Sequence, residues 1–143
     1  MIENSIGTRL FNSVIVSYRD SDTVVDVLND GEYSCAFFVS SVLTLVQFLD
    51  RPHTTVKTVR LKLEERGWSK IPAAEAELGD VIFWEKVKFD NGSENEHVGF
   101  VGNSTEAIST SYLERKVVRH DIFFRKEGAD HLARAVSAVY RLP

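Results

Sequence analysis

The residues Cys35-Ala36-Phe37-Phe38-Val39-Ser40-Ser41-Val42-Leu43 form the most apolar stretch of this chain and begin with its only cysteine. A helix drawn from Cys35 to about Leu49 carries apolar side chains on nearly every face, which is typical of a helix buried on several sides. Ser34 is a residue type favoured at a helix N-cap. The N–H groups and the positive dipole end of such a helix would surround Cys35 and lower the pKa of its thiol.

Two further helices are predicted around this one. Apolar residues recur at helical spacing over residues 3 to 18, which indicates an amphipathic helix at the N-terminus. Thr54 or Thr55 can cap a third helix, which contains Val56 and Leu63 and stops at Gly67. Three helices are therefore expected before the strands begin.

After Gly67 the pattern changes to short runs of β-prone residues, which predict five strands: Val81 to Trp84, His97 to Val101, Ala107 to Thr110, Lys116 to Phe124 and Ala135 to Leu142. Asp90-Asn91-Gly92-Ser93 is typical of a hairpin turn between the first two strands. Helices followed by strands, without alternation of the two, favour the α+β class with an antiparallel sheet.

Length and composition narrow the class of protein. The 143 residues, 43% of them hydrophobic, fit a single domain over residues 1–143 with its own core. A net charge of −4 makes nucleic acid a poor default partner. The N-terminus lacks the pattern of a Sec signal peptide, and the apolar run at Cys35 is too short to cross a bilayer. We therefore expect a protein without a membrane partner that is cytoplasmic or released by a non-classical route.

The cysteine and one histidine are the candidate chemical groups. A lone cysteine forms no internal disulfide, and no histidine has metal-ligand spacing, so neither a metal nor another cofactor is expected. His97 opens a predicted strand that would pack on the cysteine helix. Acyl transfer by a thiol needs a nucleophile, an imidazole base and donors for the oxyanion. Cys35 and His97 fit the first two roles, although a lone cysteine in an apolar helix is commonly a packing residue.

Three segments in order carry a resemblance to a known group of enzymes. They are Ser34-Cys35-Ala36-Phe37-Phe38-Val39, Leu78-Gly79-Asp80-Val81-Ile82-Phe83 and His97-Val98-Gly99-Phe100-Val101-Gly102-Asn103. Together they resemble the motifs of bacterial papain-like amidases and endopeptidases of the NlpC-type and CHAP (cysteine, histidine-dependent amidohydrolase/peptidase) families. The resemblance implies a papain-like fold in which N-terminal helices precede a central helix that begins at the catalytic cysteine and packs on the sheet. It also implies that Cys35 is the nucleophile, that His97 is the general base, and that the substrate is an amide bond of a peptide, most often in peptidoglycan stem peptides or cross-bridges.

The third catalytic residue departs from the family pattern. These families place a polar side chain on the strand after the histidine strand, where it orients the imidazole. Ser109 stands twelve positions after His97, and Thr110 is its neighbour on the other face. A hydroxyl can accept the imidazole N–H but supplies no charge. Asn103 is a further candidate, although its place after Gly102 favours a turn.

The remaining histidines have simpler interpretations. His53 follows Pro52 and is predicted to lie at the surface or to cap the third helix. His120 lies on a predicted strand, where it either faces the cleft, makes a structural hydrogen bond to Asp121 or is exposed to solvent. His131 is predicted to lie at the surface.

Two other functions remain open from the sequence. The hydroxyl at the third position is also what a related domain would carry if it had lost catalysis and served as a binding module. The same thiol chemistry would serve a deamidase or transamidase that acts on proteins.

Overall fold

The computed structural model describes residues 1–88, 92–127 and 133–143, and in them the architecture is mostly β. Six antiparallel strands form the main sheet in the order β3-β8-β4-β5-β6-β7. The strands are β3 (Ser69–Ile71), β4 (Val81–Lys88), β5 (Glu94–Val101), β6 (Glu106–Ser111), β7 (Lys116–Asp121) and β8 (Val136–Arg141). A separate ribbon pairs β1 (Ile15–Ser17) with β2 (Val24–Asp26). The long strand β5 lies near the middle of the sheet.

Two helices lie against this sheet. Helix α1 (Cys35–Leu45) packs on β5 and β6, and helix α2 (Val56–Glu65) packs on α1 and β5. Thr55 caps α2 by accepting a hydrogen bond from the Thr58 N–H, as predicted. Helix α1 ends before the predicted Leu49 because Gln47 adopts a left-handed φ of 63°, and the Phe48 N–H returns to the Leu43 carbonyl at 2.9 Å.

The strands bury side chains on both faces of the sheet. On the helix-covered face, Val98 and Phe100 of β5 join Phe38 and Val39 of α1 in one apolar cluster. On the opposite face, Trp84, Val101 and Ala107 belong to a second cluster. Successive residues of a strand point to opposite faces, so His97 and Val98 face different clusters.

The predicted α+β class, papain-like with N-terminal helices, is wrong. The described residues form two sheets with eight strands and only two short α-helices, of which the first begins at Cys35. The segment predicted as a helix over residues 3 to 18 instead holds a short 3₁₀ turn, Glu3–Ser5, and strand β1.

The physical reason is that Phe11 is the one buried residue of this apolar stripe, and the rest of the stripe lies partly or largely exposed. Leu10 is 77% exposed and Ile15 is 64% exposed, so a helix there would gain little from burial. Gly7 adopts a φ of +87°, which a helix does not allow. The Val14 N–H bonds to the Asp26 carboxylate and the Val27 N–H to the Val14 carbonyl, which ties the chain to β2.

Two predicted features fall partly or wholly outside the described residues. The predicted hairpin turn at residues 90–93 includes Asp90 and Asn91, which are not described. His131, predicted to lie at the surface, is also outside the described residues. In the part of the chain that is described, no helix is both long and apolar enough to cross a bilayer.

Candidate active site

Cys35 is the first residue of α1 and lies at the edge of a cavity of about 1360 Å³. The side chain of Ser34 does not cap the helix as predicted, because its hydroxyl donates to the Gly31 carbonyl at 2.9 Å. The polar surroundings of the sulfur are backbone N–H groups, those of Val98, Ala36 and Cys35 itself. Such groups can receive a negative charge on the sulfur or on a substrate oxygen beside it.

The thiol is nevertheless neutral at rest. Burial raises the pKa of Cys35 above its ordinary value, while the three N–H groups and the charge of Arg134 act in the opposite direction and do not compensate. The lowered thiol pKa expected from the sequence is therefore wrong. The sulfur does lie at the N-terminal end of the α1 dipole. The free-energy cost of removing a thiolate from water nevertheless exceeds the stabilisation that the helix N-terminus provides.

His97 lies on β5 and takes part in a chain of side-chain hydrogen bonds. Its Nε2 lies 2.8 Å from the Ser109 hydroxyl on β6. The same hydroxyl lies 2.8 Å from Nε2 of His120 on β7. The last member of this series of hydrogen bonds is the Asp121 backbone carbonyl, which lies 2.8 Å from Nδ1 of His120. Ser109 thus occupies the place predicted for a group that orients His97, and a second histidine stands behind it.

We call the hydrogen-bonded series His97–Ser109–His120 the relay. The backbone carbonyl at its end determines which nitrogen and oxygen atoms carry the protons. A carbonyl only accepts, so Nδ1 of His120 carries a proton and its Nε2 is the acceptor in the neutral ring. The Ser109 hydroxyl then donates to His120 and accepts from Nε2–H of His97. The lone pair of His97 is therefore on Nδ1, the nitrogen outside the relay, where it can take a proton from a nucleophile.

Close strand contact at one glycine makes this relay possible. A Cβ at Gly99 would lie 2.7 Å from the Ile108 carbonyl oxygen and 2.8 Å from the Ser109 Cβ. Gly99 is two residues after His97 and shares its face, so its missing side chain leaves the space that Ser109 occupies. The ladder pairs Ala107 with His120, which places both histidines on the face that carries Ser109.

Aromatic rings surround the relay. The Trp84 ring lies 5.4 Å from the His97 ring and 5.6 Å from the His120 ring, and its Nε1–H donates to the Ile122 carbonyl at 2.7 Å. The Phe124 ring stacks on His120 with centroids 3.9 Å apart. Both imidazoles are thus held in defined orientations by packing as well as by hydrogen bonds.

This enclosure keeps His97 neutral. Burial lowers its pKa well below the ordinary value, and the positive charge of Arg134 and the neighbouring His120 add to the effect. Burial also lowers the pKa of His120, against the opposing effects of the Asp121 carbonyl and carboxylate. A neutral imidazole is the form that accepts a proton.

Arg134 completes the charged surroundings of the site. It lines the same cavity as Cys35 and His97, and its guanidinium is held by the backbone carbonyls of Glu85 and Asn95. It forms no ion pair with a carboxylate among the described residues. Its charge therefore remains available to an anion in the cavity.

Cys35 and His97 line one cavity but belong to opposite faces of the sheet. Val98 packs in the cluster that contains Cys35, whereas the His97 ring packs on Trp84 of the other cluster. No hydrogen bond joins the Cys35 thiol to the His97 ring within the described residues. The backbone connects the two sites, because the N–H of Val98, the residue after His97, lies beside the Cys35 sulfur.

The other predicted residues lie apart from the relay. Thr110 is buried, lines the cavity and points to the face opposite Ser109. Asn103 forms a turn, in which its side-chain oxygen accepts from the N–H groups of Thr105 and Glu106. The surface position predicted for His53 is wrong, because only 9% of it is exposed and its backbone N–H donates to the Ser40 hydroxyl at 2.7 Å.

The sequence did not reveal two members of the site. Arg134 stands in a C-terminal segment without a motif, and its position depends on carbonyls of β4 and β5. The role of His120 depends on the register of β6 and β7. The sequence placed His120 on a strand where it could face the cleft, but carried no signal for its contact with Ser109.

Comparisons with known proteins leave the family open. No protein-family model matches the chain, and no curated protein matches it either. Among the described residues, no cluster of three or more histidine, cysteine, aspartate or glutamate side chains could hold a metal ion.

Proposed function

We propose that this protein is a cysteine hydrolase that cleaves amide bonds through an acyl-enzyme intermediate. The observation that carries the proposal is the polarity of the His97–Ser109–His120 relay, which leaves the lone pair of His97 on the nitrogen outside it. A buried histidine serving only as a packing residue needs no second and third polar partner in series. The cysteine at the start of α1 opens on the same cavity.

The first step is attack by a thiol that loses its proton as it attacks. The Cys35 sulfur bonds to the scissile carbonyl carbon while its proton crosses the cavity that both residues line and reaches Nδ1 of His97, which relieves the cost of a buried thiolate. The negative charge then lies on the former carbonyl oxygen, beside the N–H groups of Cys35 and Val98 and within the field of Arg134.

The second step returns the proton. His97 gives it to the leaving amine as the carbon–nitrogen bond breaks, and a thioester remains on Cys35. Water, deprotonated by the same Nδ1, attacks the thioester and releases the acid and the free thiol. Because Arg134 and burial disfavour the imidazolium, it forms only transiently, and Ser109 holds the ring in position throughout.

The substrate class follows from the three motifs that resemble NlpC-type and CHAP amidases. We propose an amide bond in a peptidoglycan stem peptide or cross-bridge. Such a substrate would be met as wall fragments in the cytosol or at the wall after release by a non-classical route. No resident metal or cofactor takes part in these steps.

A second candidate is a binding module that does not turn over its ligand. The raised pKa of Cys35 and the missing hydrogen bond to His97 favour it, because both describe a resting pair that is not preassembled. In that case the cavity would bind the same peptides and release them unchanged.

One assay separates these functions. Purified peptidoglycan and defined stem peptides are incubated with the parent protein and with Cys35→Ala, and the products are identified by mass. Hydrolysis predicts fragments from the parent that differ by one water from the substrate, and none from Cys35→Ala. A deamidase or transamidase would give ammonia loss or a joined product. Equal release by both proteins, or none by the parent, would exclude the hydrolase.

A further inference from the structure

The cavity beside Cys35 carries an excess of unpaired positive charge. Five lysine and arginine side chains on its wall make no ion pair with a described residue: Lys57, Arg60, Lys86, Lys126 and Arg134. Of its four glutamates, Glu32 and Glu114 are paired with Arg115 and Lys116. The excess stands out in a chain whose net charge is −4.

Arg60 is the most unusual of these side chains. Its guanidinium lies over the Phe83 ring, 4.7 Å from the centroid, and its Nε is buried without a hydrogen-bond partner. Its single hydrogen bond in the described structure is a long one, from Nη2 to the Ser137 hydroxyl at 3.4 Å. A guanidinium that is half-buried and lacks a carboxylate loses hydration without gaining a counter-ion.

Lys57 extends this charge toward the cleft. It stands three residues before Arg60 on α2, so both project from one face of the helix, and both line the cavity. Lys62 on the same helix differs, because it is paired with Glu65 at 2.6 Å and does not line the cavity.

We propose that Arg60 and Lys57 form a subsite for a carboxylate of the substrate, so that the cavity selects acidic peptides. The proposal rests on the proposed function for the presence of a peptide in the cavity. A guanidinium whose planar face rests on an aromatic ring presents its edge, where a carboxylate can bind through two parallel hydrogen bonds. Lys57 adds a second positive charge to the same carboxylate. Arg134, near Cys35, is not part of this subsite; its charge acts on the former carbonyl oxygen of the scissile bond.

The test is a pair of stem peptides that differ in one group. One carries a free α-carboxylate on its second residue and the other the corresponding carboxamide. Binding is measured by calorimetry to Cys35→Ala, which turns over neither. We expect the acid to bind about tenfold more tightly, the scale of a charge-assisted hydrogen bond, and this preference to weaken with added salt.

Variants on α2 assign the preference to residues. Arg60→Met in the Cys35→Ala background keeps packing on Phe83 and should abolish the preference, while Arg60→Lys should keep part of it. The matched control, Lys62→Met, removes a charge from α2 outside the cavity and should leave the preference unchanged. Circular dichroism and thermal melting confirm that each variant is folded.

Several results would overturn the subsite. They are equal affinity for acid and amide, equal losses from Arg60→Met and Lys62→Met, and a preference for the acid that added salt leaves unchanged. Turnover by the parent separates this outcome from the proposed function. Equal hydrolysis of both peptides leaves the hydrolase standing without the subsite, and acid-selective binding without turnover leaves the subsite standing without the hydrolase.

Discussion

Two regions of this molecule each join a fully buried serine to a histidine, and they differ in what the serine binds. At the α1–His53 junction, the Ser40 hydroxyl accepts from the His53 backbone N–H at 2.7 Å and donates toward the carbonyls of Ala36 and His53. At the β5–β6–β7 relay, the Ser109 hydroxyl lies between two imidazole rings. The bonds from Ser40 to the backbone hold a loop in place. The bonds from Ser109 to two imidazoles determine which ring nitrogens carry a proton.

The two histidine rings differ in whether a hydrogen bond orients them. The ring of His53 is buried with no hydrogen-bond partner for its Nε2 among the described residues. The ring of His97 is held by a hydrogen bond, by Trp84 and by the space left at Gly99. A general base needs an oriented lone pair facing a cavity, which the second region has and the first lacks.

The largest expected difference between the regions is in turnover. His97→Ala should lower kcat by about 10² to 10⁴-fold because it removes the proton acceptor. His53→Ala should leave kcat within about twofold while lowering stability, since His53 is buried away from the relay. Steady-state kinetics on the stem peptide that the parent cleaves measures both. Similar kcat losses in the two variants would erase the distinction.

Gly99→Ala should disrupt the relay through the backbone. The new methyl would lie 2.7 Å from a backbone oxygen of β6, which cannot move without breaking the sheet, so we expect a loss of about 1 to 3 kcal/mol in unfolding free energy. Gly102→Ala is the milder control, since its Cβ would meet the end of the flexible Arg119 side chain at 3.1 Å and a backbone oxygen, that of Glu106, only at 3.3 Å. Chemical denaturation of both variants gives the comparison, and an equal cost at the two positions would contradict the account.

Replacing each serine separates structure from chemistry. Ser40→Ala and Ser109→Ala each leave buried polar groups without a partner and should each cost about 1 to 3 kcal/mol of stability. Only Ser109→Ala should also lower kcat, by about tenfold, because His97 loses its orientation. Nitrogen NMR of the imidazoles should show the Nε2–H form of His97 in the parent and a mixture of tautomers in Ser109→Ala. An unchanged tautomer there would remove the role assigned to Ser109.

The last difference is in the pH dependence of stability. The pKa values of His97 and His120 are lowered by burial, so the unfolded chain binds more protons than the folded one below about pH 6.5, the ordinary histidine value. Their contribution is complete above that pH, and stability should fall as the pH drops, by at most about 1.4 kcal/mol per pH unit for each neutral ring. Denaturant titrations from pH 7 to 5 should give a flatter profile for His97→Gln/His120→Gln. The same slope in parent and double variant would show that neither ring is held neutral.

The sequence was informative where a pattern is local. A cysteine at the start of a strongly apolar run predicted the first residue of α1, and alternation after Gly67 predicted the strands from Val81 onward. Ser109 was proposed because its twelve-residue spacing from His97 is similar to the NlpC-type arrangement; its hydroxyl lies 2.8 Å from His97 Nε2, and its catalytic role stays a prediction. These predictions need only the neighbours along the chain or one hairpin.

Other features depend on contacts that a single sequence does not show. The periodicity of residues 3 to 18 indicated a helix, but Leu10 and Ile15 have no core to cover and the segment pairs as a ribbon. The thiol pKa depends on how completely α1 is buried, not on the helix start alone. The link from Ser109 to His120 requires the register of two strands.

The most direct measurement is the mass of the protein during turnover. The parent is mixed with a thioester of the stem peptide, quenched in acid within milliseconds to seconds, and analysed by intact and peptide mass spectrometry. The account predicts an added acyl group on the peptide that contains Cys35, which forms more slowly in His97→Ala and is absent in Cys35→Ala. A protein that cleaves the substrate with no adduct on Cys35, or that neither cleaves it nor becomes acylated, would contradict the central claim that Cys35 attacks with His97 as its base.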